Sequence, residues 1–179
     1  MPKASQKNIV ITGFMAVGKS VVGQRLARRL KRPFVDLDAV IEQREGMKVH
    51  EIFFSRGEPY FRKIEKEMLR KALGGAGKII ATGGGAVLDE DSLQLLKETS
   101  LLISLTARPE TLLARAATGG IRRPLLQVEN ALERIKELLR QREIAYSQAH
   151  VSIDTEGRPV DKVVEDILHA LDQRSGGLA

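Results

Sequence analysis

The segment GFMAVGKS at residues 13–20 constrains this chain most, because it matches the phosphate-loop pattern G-x-x-x-x-G-K-[S/T] in full. It follows an apolar, β-branched run at residues 8–12, which is typical of a buried strand. It leads into residues 19–31, where apolar residues recur at fourfold spacing and predict a helix with one apolar stripe. A strand, a loop and a helix in this order favour a phosphate loop over the structural alternative, a plain glycine-rich turn.

The chemistry of a phosphate loop explains this spacing. Glycines let the backbone turn sharply, so that N–H groups converge on phosphate oxygens, and the helix N-terminus adds its partial positive charge. Lys19 is expected to reach the β- and γ-phosphates, and Ser20 is expected to ligate Mg²⁺. The residues expected to contact the nucleotide here are Ala16, Val17, Gly18, Lys19, Ser20 and Val21.

Short apolar strands alternate with helices along the rest of the chain. Further strands are predicted at residues 34–36, 78–82, 101–105 and 151–154. Helices are predicted at residues 39–45, 49–54, 58–73, 91–98, 129–146 and 160–171, and one more begins at Pro109. The alternation predicts a single α/β domain over residues 1–179 with a mainly parallel sheet, followed by a frayed tail at residues 175–179.

The composition excludes several classes of protein. The chain has no Cys, which rules out a disulfide scaffold, thiolate metal sites and a thiol nucleophile. Its 29 Lys+Arg against 23 Asp+Glu give a net charge of +6, which suits an anionic ligand or merely aids solubility. Aromatic residues are 4% with no Trp, which disfavours a base-stacking surface. Since the sequence has no apolar run of about 20 residues and no signal-peptide pattern, a cytoplasmic location is expected.

A second set of chemistry-bearing residues lies outside the phosphate loop. Asp36 and Asp38 end the second predicted strand, where residues two apart share a face, so both carboxylates are expected to point at one site. The alternative is a helix N-cap and a surface acid. Three glycines at residues 83–85 end the third strand and indicate a backbone that a ligand approaches closely. The chain is short for a motor and has no Asn-Lys-x-Asp guanine-reading motif, so a small-molecule kinase is favoured over a motor or a GTPase.

Taken together, the motifs resemble those of the shikimate kinase family. The matching segments, in family order between about residues 8 and 146, are GFMAVGKS, DLDAVIEQREG, EIFFSRGEPYFRKIE, TGGGAV, RRPLL and REIAY. The resemblance implies a three-layer αβα P-loop kinase fold, similar to nucleoside monophosphate kinases, with a five-stranded parallel sheet. It also implies transfer of the γ-phosphoryl group of ATP to the 3-hydroxyl of shikimate, in the pathway to chorismate and the aromatic amino acids.

The resemblance implies roles for the residues that bind shikimate. Asp38 would hydrogen-bond the attacking hydroxyl and act as its base, while Asp36 would help to place Mg²⁺ through water. Arg62 and Arg142 would clamp the shikimate carboxylate, because a guanidinium can pair bidentately with a carboxylate. The backbone that would meet the shikimate hydroxyls is that of Gly83, Gly84 and Gly85. These residues define a substrate-binding segment at about residues 37–65, completed by the glycines and Arg142.

The resemblance also implies roles on the nucleotide side. A lid at about residues 115–126 would close over the phosphates and exclude water, with Arg123 as its catalytic cation beside Lys19. Arg115 and Arg158 fall roughly where the family contacts adenine. Arg122 is the alternative to Arg123 as the inward-pointing cation, and the resemblance around Pro124 favours Arg123.

Ordinary structural interpretations compete with several of these roles. Without the REIAY match, Arg142 reads as part of a solvated, charge-rich helix face. Glu65 is three residues after Arg62 and is expected either to hold its guanidinium or to make a surface pair. Phe53, Phe54 and Phe61 suit a pocket wall as well as they suit the core.

Some positions depart from the family pattern without removing a group that touches the chemistry. Ala16 replaces a usual third loop glycine, and its Cβ is expected to restrict φ. Val21 replaces a usual threonine, and Ile144 with Ala145 replaces a pair that usually contains proline.

Two rival functions remain beside an ATP-dependent shikimate kinase that requires Mg²⁺. One is another small-molecule kinase, such as a gluconate-like or nucleotide kinase, although few aromatic residues are present to build a base pocket. The other is a nucleotide switch or a basic RNA-binding protein, which the Asp, Arg and glycine set disfavours. The leading hypothesis predicts shikimate as the small-molecule ligand and a monomeric protein, with neither nucleic acid nor a membrane as partner.

Overall fold

In a computed structural model, which describes residues 7–119 and 128–176, the chain forms a five-stranded parallel sheet flanked by helices. The strands are β1 (Asn8–Gly13), β2 (Phe34–Asp36), β3 (Ile79–Ala81), β4 (Ser100–Thr106) and β5 (Val151–Asp154), and their order in the sheet is β2-β3-β1-β4-β5. The helices are α1 (Lys19–Leu30), α2 (Leu37–Glu45), α3 (Val49–Leu73), α4 (Glu90–Thr99), α5 (Pro109–Thr118), α6 (Ala131–Ser147) and α7 (Val160–Gly176). The predicted fold class is therefore confirmed.

Two helical layers cover the sheet. Helix α1 packs against α7 on one face, and α5 packs against α6 on the other, together with α3 and α4. The central strands β1, β3 and β4 consist mainly of fully buried apolar residues, as expected for a parallel sheet covered on both faces. Because β2, β3 and β1 are parallel neighbours, the segments that follow them meet at the carboxyl ends of these strands. The candidate site lies there.

The predicted elements agree with the structure to within a few residues, and the differences have local causes. The two helices predicted at residues 49–54 and 58–73 join into α3, which is kinked at Gly57, where φ is 81°. Helix α2 begins at Leu37, two residues earlier than predicted, because the Asp36 side chain caps it. Helix α7 extends to Gly176 and so includes the start of the predicted frayed tail; residues 177–179 lie outside the described part of the chain.

One short element escaped prediction. A single 3₁₀ turn at Ala86–Leu88 follows the three glycines and leads into α4. Across residues 7–119 and 128–176, no helix combines the length and the apolar character that crossing a bilayer requires.

Candidate active site

The phosphate-loop segment forms a tight turn between β1 and α1. Gly13 and Gly18 adopt φ of 141° and 106°, and Ala16 adopts a left-handed φ of 65°. A Cβ on Gly13 would lie 2.5 Å from the carbonyl oxygen of Leu105 in β4, so glycine is required where the loop leaves the sheet. The Lys19 ammonium folds back over the turn and donates to the carbonyl oxygens of the first two loop residues at 2.9 and 3.0 Å. The predicted phosphate-binding lysine is thus held against the loop itself.

Ser20 and Asp36, the two residues predicted to serve the metal, are in direct contact. Ser20 Oγ donates to Asp36 Oδ2 at 2.5 Å, while Asp36 Oδ1 accepts from the backbone N–H of Ala39 at 3.2 Å. Asp36 is therefore both the N-cap of α2 and a member of the site, two interpretations that the sequence presented as alternatives. The role of Ser20 and Asp36 in binding a metal stays a prediction.

Asp38 lies in the first turn of α2. The expectation that it shares a strand face with Asp36 is wrong, because β2 ends at Asp36 and α2 begins at Leu37. Both carboxylates nevertheless line the same cavity. Asp38 Oδ1 is fully buried and accepts no hydrogen bond from the described residues. Burial raises the pKa of Asp38, and the Lys19 ammonium is the strongest opposing influence.

Arg62 projects from the second half of α3 and is held by two carboxylates. Its guanidinium donates to Glu65 Oε2 at 2.7 Å and to Glu58 Oε1 at 3.1 Å, and it lies 5.9 and 5.3 Å from the ring centres of Phe53 and Phe61. Glu65 is only 3% exposed, so the pair with Arg62 is buried rather than a surface pair. The other oxygen of Glu65, Oε1, is buried without a partner among the described residues, and burial raises the pKa of this carboxyl.

Two of the three predicted pocket phenylalanines line the cavity, and the third does not. Phe53 and Phe61 form part of its wall, with ring centres 4.6 Å apart. Phe54 is 95% exposed, because it is next to Phe53 on the helix and therefore points to a different face.

The glycine run at residues 83–85 is packed against these charged side chains. A Cβ on Gly83 would lie 2.7 Å from Glu65 Oε1 and 3.1 Å from Asp38 Oδ1. A Cβ on Gly85 would lie 2.5 Å from both terminal nitrogens of Arg62. The sequence indicated a backbone that a ligand approaches; the structure shows that the protein's own carboxylates and guanidinium already approach it.

Arg142 reaches the same place from α6. It is 6% exposed and its guanidinium lies 5.5 Å from the ring centre of Phe14, whereas its neighbour Arg140 is exposed and paired with Glu137. The interpretation of Arg142 as solvated surface is wrong, because it lies on the one buried face of α6. One turn later on that face, the Tyr146 hydroxyl donates to the Gly84 carbonyl oxygen at 2.6 Å.

These side chains surround a cavity of about 380 Å³. The predicted substrate and metal residues that it gathers are Ser20, Asp36, Asp38, Arg62, Gly83, Gly84, Gly85 and Arg142. The cavity is also lined by residues to which the sequence assigned no role: Met15, Ala39, Glu42, Val49 and His50. Apart from falling in or next to predicted segments, these five carry no motif that would have singled them out. No cluster of three or more His, Cys, Asp or Glu side chains able to hold a metal occurs in the described residues.

The residues predicted for adenine are more dispersed. Arg115 in α5 donates to the Val17 carbonyl oxygen at 3.3 Å and to Thr155 Oγ1 at 2.9 Å, so it connects the phosphate loop to the segment after β5. Arg158, in that same segment, pairs with Asp166 of α7. Val21 is 57% exposed at the start of α1. Arg122 and Arg123, with most of the predicted lid, lie outside the described residues.

Comparison with known proteins points to one family. The family model described as "Shikimate kinase" matches residues 15–172. A shikimate kinase from Thermus thermophilus is 45% identical over 91% of this chain and 89% of its own length, and one from Geobacter sulfurreducens is 46% identical over 90% and 88%. A solved shikimate kinase from Acinetobacter baumannii, in complex with shikimate, superposes with a TM-score of 0.90 at 33% identity and covers 94% of each chain.

Proposed function

The chain belongs to the shikimate kinase family, and on that premise we propose that the cavity beside its phosphate loop brings shikimate to the γ-phosphate of ATP. The reaction transfers the γ-phosphoryl group of ATP to the 3-hydroxyl of shikimate and gives shikimate 3-phosphate and ADP. The observation that supports the residue assignment is the convergence of Asp38, Arg62 and Arg142 on one cavity that also reaches Ser20 of the loop.

The two arginines provide the binding site for the shikimate carboxylate. Arg62 is oriented by Glu65 and Glu58, and Arg142 reaches the cavity from α6 and is buried. Desolvated guanidiniums form strong, directional pairs with carboxylates, so a carboxylate bound between them fixes the orientation of the ring. A cavity of about 380 Å³ also suits a compact hydroxylated acid.

Asp38 accepts the hydrogen bond of the attacking hydroxyl. Burial raises the pKa of Asp38, which makes its carboxylate a better proton acceptor than an exposed aspartate. The Lys19 ammonium partly offsets this rise in pKa. Phosphoryl transfer passes through a loose transition state, in which positioning and charge neutralisation matter more than a strong base. Asp38 therefore orients the hydroxyl and takes its proton as the bond to phosphorus forms.

The nucleotide is bound by the loop from Ala16 to Val21, with Lys19 as the phosphate cation. Lys19 now donates to two loop carbonyls, and we propose that it exchanges these contacts for phosphate oxygens when ATP binds. Arg115 and Arg158 lie on the side of the site that takes the adenine ring. Arg115 is already fixed to the phosphate loop through its hydrogen bond to Val17. Arg123 closes over the phosphates from the lid, as the family resemblance implies.

The residues present fit a magnesium ion. Ser20 Oγ and Asp36 Oδ2 lie 2.5 Å apart at the mouth of the phosphate loop, and Mg²⁺ prefers oxygen ligands, retains several waters and is usually held by one or two side chains plus phosphates. Ser20 would ligate the ion and Asp36 would hold one of its waters. When bound, Mg²⁺ neutralises charge on the transferring phosphate.

We expect the enzyme to be a cytoplasmic monomer whose ligands are shikimate and ATP with Mg²⁺, with neither nucleic acid nor a membrane as partner. Scattered apolar side chains on a surface are normal for a monomer. In the described residues, the large apolar side chains that are exposed lie at separate places in the fold: Val21, Phe54, Leu88, Val128 and Ile144.

The test is ADP release with ATP and Mg²⁺ in the presence of shikimate, quinate, gluconate or a nucleoside monophosphate. We expect turnover with shikimate to exceed turnover with each alternative acceptor, and we expect EDTA to abolish it. No turnover with shikimate above the acceptor-free rate would refute the proposal.

A further inference from the structure

Tyr146 contacts the glycine backbone of the cavity without lining that cavity. Its hydroxyl donates to the Gly84 carbonyl oxygen at 2.6 Å, and the residue is 8% exposed. The two residues are 62 positions apart in the chain, so this hydrogen bond fastens α6 to the segment that follows β3. Since the bond is largely shielded from water, its loss would leave the Gly84 carbonyl oxygen without this partner.

The bond has a specific consequence because its acceptor belongs to a glycine peptide. A planar trans peptide directs its C=O and its N–H to opposite sides, so turning the Gly84 carbonyl toward Tyr146 turns the N–H of Gly85 away from α6. With glycine on both sides of this peptide, sterics alone do not prevent it from rotating. The Tyr146 hydroxyl therefore selects one orientation of a peptide whose two glycines both line the cavity.

The same hydroxyl is close to Arg142. Arg142 and Tyr146 are one helical turn apart on the buried face of α6. Burial raises the pKa of Tyr146, and the positive charge of the adjacent Arg142 partly offsets the rise, so the phenol remains a proton donor throughout the neutral range. Arg142 in turn approaches Gly84, where a Cβ would lie 3.5 Å from its Nη1.

We propose that Tyr146 is a positioning residue for the acceptor, which holds the Gly84–Gly85 peptide and the Arg142 guanidinium in the arrangement that receives shikimate. This inference rests on the proposed function. The Tyr146 hydroxyl donates to Gly84 rather than to the phosphate loop, so its main effect should fall on the acceptor. Acceptor contacts held equally in the ground state and the transition state appear in KM rather than in kcat.

The test uses Tyr146→Phe, with Tyr60→Phe as a matched control, because these are the two tyrosines of the chain. Tyr60 also donates a hydrogen bond, to Glu45 Oε2 at 2.9 Å, but it does not line the cavity. For Tyr146→Phe we expect KM for shikimate to rise about tenfold, the effect of one lost buried hydrogen bond. We expect kcat to stay within about twofold and KM for ATP to be unchanged. Tyr60→Phe should leave all three constants unchanged.

A second readout does not depend on turnover. In Tyr146→Phe, amide hydrogen exchange at Ala86, whose N–H donates to the Gly83 carbonyl oxygen across the Gly84–Gly85 peptide, should become faster, while exchange in β1 and β4 should match the wild type. An unchanged shikimate KM, an equal rise in the KM for ATP, or exchange that accelerates throughout the sheet would overturn the proposal. Wild-type protein that does not phosphorylate shikimate would refute the proposed function instead, and the exchange result would still show whether Tyr146 fixes the glycine peptide.

Discussion

The two ends of the cleft are built in different ways. The donor end is a single contiguous turn, residues 13–20, whose geometry is set by backbone conformation and whose lysine bonds to the turn's own carbonyls. The acceptor end is assembled from side chains on α2, α3 and α6 and from the glycine backbone of the segment after β3. The donor end therefore carries its information locally, whereas the acceptor end exists only once the sheet has brought distant segments together.

The two ends also differ in how their charges are satisfied. At the donor end, Lys19 and Ser20 both have hydrogen-bond partners. At the acceptor end, Asp38 and Glu65 each keep one buried oxygen without a partner in the described residues, and burial raises the pKa of both. Buried carboxylates that lack partners cost stability, and such a cost at a binding site is usually relieved by the ligand. The acceptor end is thus the strained half of the cleft.

The largest expected effect comes from Asp38→Asn, which keeps the shape of the acceptor end but removes its proton acceptor. We expect kcat to fall by about 10²–10⁴-fold, the usual contribution of a positioned general base, while ATP affinity stays within a few-fold. Steady-state ADP release and calorimetric ATP titration measure the two quantities. Asp91→Asn serves as the control, because Asp91 is exposed and pairs with Lys66 outside the cavity. Near-normal turnover would remove Asp38 from the mechanism.

Arg142→Ala is expected to have the next largest effect and to separate the two ends. Loss of one desolvated guanidinium should raise KM for shikimate by about 10–100-fold and leave KM for ATP nearly unchanged, since a hydrogen bond to a charged group contributes about 1.5–3 kcal/mol. Arg140→Ala changes an exposed arginine on the same helix and should alter neither constant. A shift in the ATP constant with an unchanged shikimate constant would place Arg142 at the wrong end of the cleft.

Asp38→Asn should also stabilise the protein at neutral pH. The raised pKa of Asp38 means that the folded state holds this proton more tightly than the unfolded state, so stability falls as the pH rises from the ordinary Asp pKa to the raised one. Removing the charge should therefore add about 1 kcal/mol at neutral pH, which corresponds to roughly 2–4 °C in the unfolding midpoint. The gain should disappear as the pH falls below the ordinary Asp pKa of about 3.9, where both states become protonated.

Thermal unfolding of the ligand-free protein at several pH values measures this effect. Asp36→Asn is the natural comparison, because both oxygens of Asp36 already have hydrogen-bond partners and no gain is expected there. A lower midpoint for Asp38→Asn than for the wild type at neutral pH would contradict the view that the acceptor end is strained.

The same contrast explains which features the sequence could predict. Residues 13–20 form a local motif, so the strand, loop and helix around it follow directly from the pattern. Arg142 was predicted only from the family resemblance, because its charge-rich neighbours suggest an exposed helix face. Its spacing could have marked it as buried, however, since it continues the stripe of Ile135 and Leu138 and is one turn before Tyr146.

Other parts of the site depend on three-dimensional contacts that no local pattern contains. The glycine run was recognisable, but its packing against Glu65 and Arg62 depends on α3 crossing that segment. Likewise, His50 and Met15 line the cavity only because the kinked α3 and the phosphate loop meet there. The alternation of strands and helices thus predicted the sheet, while the identity of the cavity wall required the tertiary structure.

The smallest expected effect tests the donor end, where backbone conformation rather than side-chain charge carries the geometry. Ala16 holds a left-handed φ of 65°, which costs a non-glycine residue roughly 1–2 kcal/mol, so Ala16→Gly should relieve this strain. Glycine offsets about 0.5–1 kcal/mol of this through greater freedom in the unfolded chain, which leaves a net gain of up to about 1.5 kcal/mol. Ala114→Gly, at an exposed helical position in α5, should instead lose about 1 kcal/mol. Urea unfolding measures the stability of both variants, and we expect KM for ATP to be unchanged in Ala16→Gly. A more stable Ala16→Gly beside a less stable Ala114→Gly would show that the φ of Ala16 strains the phosphate loop. Equal destabilisation by the two substitutions would show that it does not.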